Sequence, residues 1–296
     1  MLRSLAALDS GVPVWCLARM FGSLLFRARR NLPDFPGRQK LLAQIDRWWG
    51  PFIVTTRDDV RLRAFAASFM DAMFLDANPD AGSDREVMAA EVARLAPGDI
   101  FVDVGANIGL YSILASRRVG QTGRVLAFEP SPREFARLLE NLTLNDAMSV
   151  TPFSVALGGA PGLMDLHIAP THTGLNTLQI SDSAAHAFRG ARVHSVPVLT
   201  FDDAIAPLLA GRTVKLLKID VEGAEMDVLI GMKAALAEGL FARIVIEVTP
   251  DFLRAFGRTK GELYDLLAGF GYRPQFERDA PQYDQVFARD CEAERR

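Results

Sequence analysis

Runs of apolar residues alternate with amphipathic segments through most of the chain after residue 83. Apolar runs of strand length lie at 100–104, 124–130, 149–157, 213–220 and 242–248. Between them, apolar residues recur at helical spacing, as in 110–119 and 131–145. Near-continuous apolar strands separated by helices are typical of a parallel sheet covered on both faces. The pattern therefore predicts a doubly wound α/β fold, in which the segments 272–276 and 283–288 pair as the last two strands.

Two regions depart from this alternation. Residues 1–80 are predicted to form an N-terminal extension of helices followed by a β-hairpin, with its turn at Asp58 and Asp59. Residues 158–197 contain short strand-like segments and loops, inserted after the third strand of the predicted sheet. Insertions at that edge commonly cover a ligand crevice. The main domain is thus expected to span residues 81–296 and to carry this insertion on its substrate side.

Composition narrows the class of protein. The chain has 296 residues, of which 49% are hydrophobic and 23% charged, with a formal net charge of -3. This balance is that of a globular protein, and no overall basic field indicates a nucleic-acid partner. Cys16 and Cys291 lie near opposite ends and form neither a metal-binding spacing nor a disulfide framework. We expect a reducing, cytoplasmic location.

The apolar segment 12–26 raises the question of a membrane partner. Arg19 divides it into uncharged runs that are too short to span a bilayer, and it lacks a clean cleavage site for a signal peptide. Basic residues follow it closely. Two interpretations stay open: a helix packed on the main domain, or contact of residues 12–30 with a membrane surface at the inner face.

A glycine turn follows the first strand of the main domain, in the sequence FVDVGANIGLY (101–111). A dinucleotide-binding turn requires G-x-G-x-x-G, but the second and third glycine positions are Asn107 and Leu110. The pattern that remains is Asp103, Gly105, Asn107 and Gly109. A carboxylate two residues before the first glycine disfavours a pyrophosphate and suits a cation. S-adenosylmethionine carries a sulfonium and an ammonium group and no phosphate, so the turn favours this cofactor.

Carboxylates also follow two further strands. Glu129 ends the next strand, where it can accept hydrogen bonds from both ribose hydroxyls of a nucleoside. Asp220 and Glu222 follow the strand 213–220, and because parallel strands share one carboxyl edge, they should face the same crevice. Two neighbouring acids raise each other's pKa. Glu225 begins the following helix, and its favourable interaction with the helix dipole is enough to explain an acidic residue at that position.

These segments together resemble the FkbM family of S-adenosylmethionine-dependent methyltransferases. The similarity is carried by FVDVGANIGLYS, VLAFEPSPREFARLLENLTLN and LKIDVEGAEMDVLIG, and it runs from about residue 101 to residue 250. It implies a class I methyltransferase sheet of seven mostly parallel strands that ends in an antiparallel hairpin. It also implies O-methylation of a hydroxyl on a sugar, glycan, lipid or natural-product-like molecule.

The resemblance also suggests roles for individual residues. Asp103 would orient the methionine end of the cofactor, directly or through water, and Gly105 and Gly109 would allow close approach of the backbone. The remaining expected neighbours of the cofactor are Asn107, Tyr111, Glu129, Pro130 and Ala156, of which Ala156 would meet the adenine through its backbone.

A hydroxyl acceptor requires a general base, because an alcohol is a poor nucleophile until its proton leaves. Asp220 and Glu222 are the main candidates, and His194, in the inserted segment, is a weaker one. Asp220, Glu222 and Glu247 are also oxygen ligands of the kind that Mg²⁺ prefers, but no spacing demands a metal and none is predicted. Two alternatives remain open, an NAD-dependent oxidoreductase and a non-catalytic S-adenosylmethionine-binding module.

Overall fold

The computed structural model of the chain describes residues 35–68, 82–169, 176–181 and 185–289, except for the side chains of residues 82–85. The expectations for the apolar segment 12–30 lie outside these residues. Within the described part, no helix is both long enough and apolar enough to cross a membrane.

A seven-stranded sheet forms the centre of the main domain, which confirms the predicted fold class. Its strand order is β11-β12-β10-β9-β3-β4-β5. The strands from β10 to β5 in this order are parallel, whereas β12 runs antiparallel to both β10 and β11. The bounds are Ile100–Val104 (β3), Arg124–Phe128 (β4), Val150–Phe153 (β5), Leu216–Ile219 (β9), Arg243–Val248 (β10), Tyr272–Pro274 (β11) and Tyr283–Arg289 (β12).

Both faces of this sheet are buried, which explains the continuous apolar strands. Successive residues of β3 enter different cores, because side chains alternate across a strand. Val102 and Val104 belong to the larger hydrophobic cluster. Phe101 packs on the opposite face with Val125 and Leu216.

Helices cover the two faces and connect the parallel strands. The helix α4 begins after Ser131, with Pro132 in its first turn, a position where the missing N–H of proline costs nothing. Its start brings Ser131 and Glu134 close to the end of β4. The helix bounds in the main domain are Gly82–Ala93 (α2), Leu110–Val119 (α3), Pro132–Leu144 (α4), Phe201–Ala204 (α5), Glu225–Ile230 (α6), Lys233–Ala237 (α7), Pro250–Ala255 (α8) and Lys260–Gly269 (α9).

The apolar run 149–157, predicted as one strand, is divided between two sheets. Its first part is β5 of the main sheet. Its last part, Ala156–Leu157 (β6), pairs in parallel with Arg192–Leu199 (β8), which in turn pairs antiparallel with Gly162–Ile168 (β7). The inserted segment thus contributes a three-stranded sheet of its own, with the order β6-β8-β7.

The described part of the N-terminal extension packs on the main domain. It consists of a helix, Arg38–Trp49 (α1), and the predicted hairpin, Phe52–Thr55 (β1) and Arg61–Ala64 (β2). Leu62 of the hairpin shares a hydrophobic cluster with Leu138 of α4. Asn141 of α4 and Asn145, which directly follows this helix, accept hydrogen bonds from the backbone of β2 at 2.8 and 3.0 Å. These amides satisfy an edge strand that would otherwise lack partners.

Candidate functional site

The glycine turn after β3 lies at the carboxyl edge of the sheet and is held mainly by the protein itself. The amides of Gly105 and Ala106 both donate to the carbonyl oxygen of Phe128, at 3.0 and 2.9 Å. A Cβ atom at Gly105 would overlap the backbone carbonyl of Asp220, and one at Gly109 would overlap the Leu138 side chain. Both glycines have positive φ angles, 82° and 90°. They are therefore needed for packing inside the protein, whatever the turn binds.

Glu129 places a buried carboxylate beside this turn. Its Oε2 accepts the backbone N–H of Asn107 and its Oε1 accepts that of Ser131, both at 2.8 Å. The residue is only 6% exposed. Burial raises the pKa of Glu129 to about 8, and the nearby Glu134 carboxylate adds to this effect. Because a carboxylate has about four acceptor positions, each oxygen keeps room for one further donor.

The other residues predicted to line the cofactor site lie around the same edge. The Oδ1 atom of Asn107 is buried without a hydrogen-bond partner, and Asn107 itself adopts a left-handed conformation (φ 50°). Pro130 follows Glu129 directly and is half-buried, as is Tyr111 at the start of α3. Ala156 is buried in β6, where it pairs with Val198. The unused acceptors on Glu129 and Asn107 fit a ligand that donates hydrogen bonds, such as a ribose diol.

Asp103, at the end of β3, is held by groups of the protein itself. Its carboxylate is fully buried; Oδ2 accepts a hydrogen bond from Ser112 Oγ at 2.6 Å, and Oδ1 lies 3.4 Å from Lys218 Nζ. The carboxylate thus faces α3 and β9. Its direct partners are protein groups, and any effect on a ligand passes through them.

Lys218, which was not among the residues predicted for the site, lies at the centre of these groups. Its ammonium contacts Asp103, Asp220 Oδ2 at 3.0 Å and the carbonyl oxygen of Gly105 at 3.1 Å. Burial alone would lower the pKa of Lys218, but the carboxylates of Asp220 and Asp103 outweigh it and hold the pKa above its ordinary value. A lysine inside the apolar run LLKI was the signal, since a charge in a buried strand requires partners.

Three carboxylates converge at the ends of β9 and β10. Oxygen atoms of Asp220, Glu222 and Glu247 all lie within 4.8 Å of one another. Oε2 of Glu222 is buried without a hydrogen-bond partner, while Glu247 Oε1 accepts one from Gln282 at 2.8 Å. The three carboxylates could bind a divalent cation, or one of them could accept a proton.

The charge balance of this cluster is uneven. Lys218 pairs with Asp220 and leaves Glu222 and Glu247 without a cation of their own among the described residues. Burial, followed by the charges of Glu247 and Asp220, raises the pKa of Glu222. Burial, followed by the charges of Asp220 and Asp284, raises the pKa of Glu247. Glu222, one of the predicted base candidates, therefore has an increased tendency to hold a proton.

Glu225 has a structural position. Its Oε1 accepts the N–H groups of Gly223 at 3.0 Å and Val221 at 3.3 Å, and the side chain is buried. It thereby fixes the turn in which Glu222 adopts a left-handed conformation, with φ 54°. This matches the interpretation of Glu225 as a residue of the helix start.

The inserted segment reaches both sides of the site. Thr177 Oγ1 lies 2.9 Å from the carbonyl oxygen of Glu222, and Asn176 Nδ2 donates to Glu134 Oε2 at 3.0 Å. Two adjacent residues of the insertion thus contact the acidic turn after β9 and the start of α4. His194 lies elsewhere, on an exposed part of β8 opposite Leu166. Within the described residues, no hydrogen bond or ion pair connects it to the acidic cluster.

Comparison with known proteins identifies the family. Residues 103–274 match the methyltransferase FkbM domain, which is more than half of the chain. The chain belongs to the FkbM methyltransferase family. The matched region contains the glycine turn from Asp103 onward, Glu129 and the whole acidic cluster, and it extends the resemblance seen in the motifs as far as β11.

Three relatives of this FkbM-family chain share between 26% and 33% of their residues with it over the aligned regions. Methyltransferase sdnD of Sordaria araneosa is 33% identical over 165 residues, which cover 48% of this chain and 63% of that protein. The chain thus spans less than two thirds of the length of this relative. The hexuronic acid methyltransferase AglP of Haloferax volcanii is 26% identical, over 57% of this chain and 64% of that protein. The 2-O-methyltransferase NoeI of Sinorhizobium fredii is 29% identical, over 62% and 76%.

Proposed function

We propose that this chain is an S-adenosylmethionine-dependent O-methyltransferase that acts on a hydroxyl group of a sugar, glycan, lipid or similar small molecule. The observation that carries the proposal is the convergence of two kinds of carboxylate at one sheet edge. Glu129 has free acceptor positions next to the glycine turn, and the acidic cluster after β9 and β10 has more negative charge than Lys218 balances.

The residues around Glu129 suit the nucleoside part of the cofactor. Glu129 would accept both ribose hydroxyls through the remaining lone pairs of its two oxygens, and the unpartnered Oδ1 of Asn107 offers one more acceptor. The acidic edge disfavours the pyrophosphate of NAD, because like charges repel at short distance. When bound, S-adenosylmethionine supplies an electrophilic methyl group on a positively charged sulfur.

The acidic cluster suits activation of an alcohol. Glu222, with its raised pKa and its buried unpartnered oxygen, would accept the proton of an acceptor hydroxyl. Glu247 shares this role through electrostatic coupling, so the two groups hold protons as a pair. Asp220, paired with Lys218, has a positioning role in this scheme.

The choice of oxygen as the methylated atom, and of a sugar-like acceptor, is supported by two relatives. One is named a hexuronic acid methyltransferase and another a 2-O-methyltransferase. The remaining candidate from another class, a module that binds S-adenosylmethionine without reaction, does not explain a carboxylate whose pKa is raised by burial and by neighbouring carboxylates.

The proposal is tested by transfer of a radiolabelled methyl group from S-adenosylmethionine to a panel of sugars, uronic acids and glycolipids, with their amino-substituted analogues alongside. We expect hydroxylated acceptors to be labelled. With an accepted substrate, Glu222→Gln should lower kcat about 100-fold or more, the usual contribution of a general base. Asp227→Asn, on the adjacent helix, should leave kcat unchanged. Labelling of the amino analogues alone, or an unchanged kcat in Glu222→Gln, would contradict the proposal.

A further inference from the structure

The helix α1 exposes large apolar side chains to solvent. Trp48 is 69% exposed and Trp49 is 56% exposed. Leu41 is exposed as well, whereas Leu42, the next residue, is buried against the hairpin and α4. Two neighbouring exposed tryptophans form an apolar patch of the kind that marks an interaction surface.

The opposite side of α1 is fixed firmly to the domain. The Asp46 carboxylate accepts the backbone N–H groups of Ala66 and Ala67, at 2.6 and 2.8 Å. Gln39 Nε2 donates to the Ala67 carbonyl oxygen at 2.7 Å. These contacts hold the helix in one orientation, so its outer face keeps a constant direction relative to the sheet.

Two parallel rows of side chains form this outer face. Residues seven apart lie on the same side of a helix, about 10 Å from each other. Leu41 and Trp48 form an apolar row, and the exposed Lys40 and Arg47 form a basic row directly beside it. The acidic residue of α1, Asp46, is turned inward to the hairpin. The outer face therefore carries positive charge next to an aromatic and aliphatic ridge.

We propose that the outer face of α1, formed by Lys40, Leu41, Arg47 and Trp48, binds the surface of an anionic lipid membrane. Tryptophan favours the headgroup level of a bilayer, because its ring is apolar and its N–H is polar. Lys40 and Arg47 would contact lipid phosphates while their aliphatic stems lie along the same surface. A neutral protein groove would offer no negative charge to pair with Lys40 and Arg47. This inference does not depend on methyl transfer.

Tryptophan fluorescence reports on this face with little interference. The chain has three tryptophans, Trp15, Trp48 and Trp49. In the full-length Trp15→Phe variant, emission therefore comes from α1 alone. We expect it to shift to shorter wavelength on addition of vesicles that mix phosphatidylcholine with phosphatidylglycerol, and not with phosphatidylcholine alone. The protein should sediment with the anionic vesicles, and added salt should weaken binding.

A charge reversal separates specific contact from general attraction. Lys40→Glu with Arg47→Glu should weaken vesicle binding about tenfold or more, since each basic residue near the surface contributes measurably. Lys215→Glu with Lys233→Glu changes the net charge equally at exposed positions elsewhere, and should leave binding nearly unchanged.

Three results would overturn the proposal. The first is the absence of binding to anionic vesicles. The second is equal loss of binding in both charge-reversed variants. The third is a short-wavelength emission without vesicles that vesicles do not change, which would mean that another segment of the chain or a second copy covers α1. Analytical ultracentrifugation would distinguish those two occupants.

Discussion

The carboxylate of Glu129 connects two segments of the candidate cofactor site. It ties together the glycine turn and the start of α4 through two backbone N–H groups, and it keeps two acceptor positions. We predict that Glu129→Gln weakens S-adenosylmethionine binding about 10- to 100-fold, because hydrogen bonds to a charged group contribute about 1.5–3 kcal/mol. Isothermal titration calorimetry checks this. Glu238→Gln, at an exposed helix end, serves as the control.

The raised pKa of Glu129 predicts that proton release accompanies S-adenosylmethionine binding, which the same calorimetric experiment can detect. At pH 7, below its pKa of about 8, the free protein holds a proton on Glu129 much of the time. Ribose hydroxyls that donate to the carboxylate favour its charged form and lower its pKa, so binding should release a proton. The apparent enthalpy at pH 7 should then depend on the ionisation enthalpy of the buffer. Proton release that persists in Glu129→Gln would point to a different group.

Lys218 is predicted to contribute strongly to stability. Its ammonium neutralises Asp103, which is fully buried, and also pairs with Asp220. Lys218→Met would leave the buried Asp103 charge without its cation and should lower the free energy of unfolding by about 3 kcal/mol or more. Urea denaturation measures this. The exposed Lys215→Met, three residues earlier, should change the value by less than about 0.5 kcal/mol. Equal effects of the two variants would contradict the assigned charge network.

At the scale of residues, the sequence predicted where the carboxylates lie better than it predicted which residues they contact. Glu129, Asp220 and Glu222 could be placed at one edge, because they follow strands of a parallel sheet. The burial of Asp103 could not be read in the same way. A carboxylate at a strand end reaches either the crevice or the interior, and the choice depends on Lys218 and Ser112, which come from two other elements.

At the scale of elements, the turn after β3 depends on a close contact with the end of β9. Gly105→Ala should lower the free energy of unfolding by about 3 kcal/mol, since the new Cβ would overlap the Asp220 carbonyl and φ is positive. Gly37→Ala also has a positive φ, with no neighbour within 4 Å of the new Cβ, and should cost only about 1–2 kcal/mol. Thermal unfolding of both variants compares them. A Gly105→Ala protein as stable as Gly37→Ala would contradict this packing.

Strand and helix positions were predicted well wherever burial on two faces imposes a continuous apolar run. The run 149–157 was misjudged as one strand because residues in both of its parts are apolar or small. Its change of partner, from β4 to β8, depends on a strand at the end of the inserted segment, some 40 residues further along the chain. Local pattern carries no information about such a partner.

At the scale of the whole molecule, the fold brings distant segments to a single edge. The glycine turn, the Glu129 loop, the acidic turn after β9 and the end of β10 meet because five strands run parallel. Residues 176–177 of the insertion then contact both the Glu134 side and the Glu222 side. The parallel sheet and its shared edge were predictable from the sequence. The path of the insertion was not, since its short segments have no clear periodicity.

The most direct test of the central claim is calorimetric titration of the full-length protein with S-adenosylmethionine and, separately, with NAD⁺. The arrangement of carboxylates predicts binding of S-adenosylmethionine and no binding of NAD⁺, whose pyrophosphate would face the acidic edge. Binding of NAD⁺, or failure of a folded protein to bind S-adenosylmethionine, would contradict the proposed function.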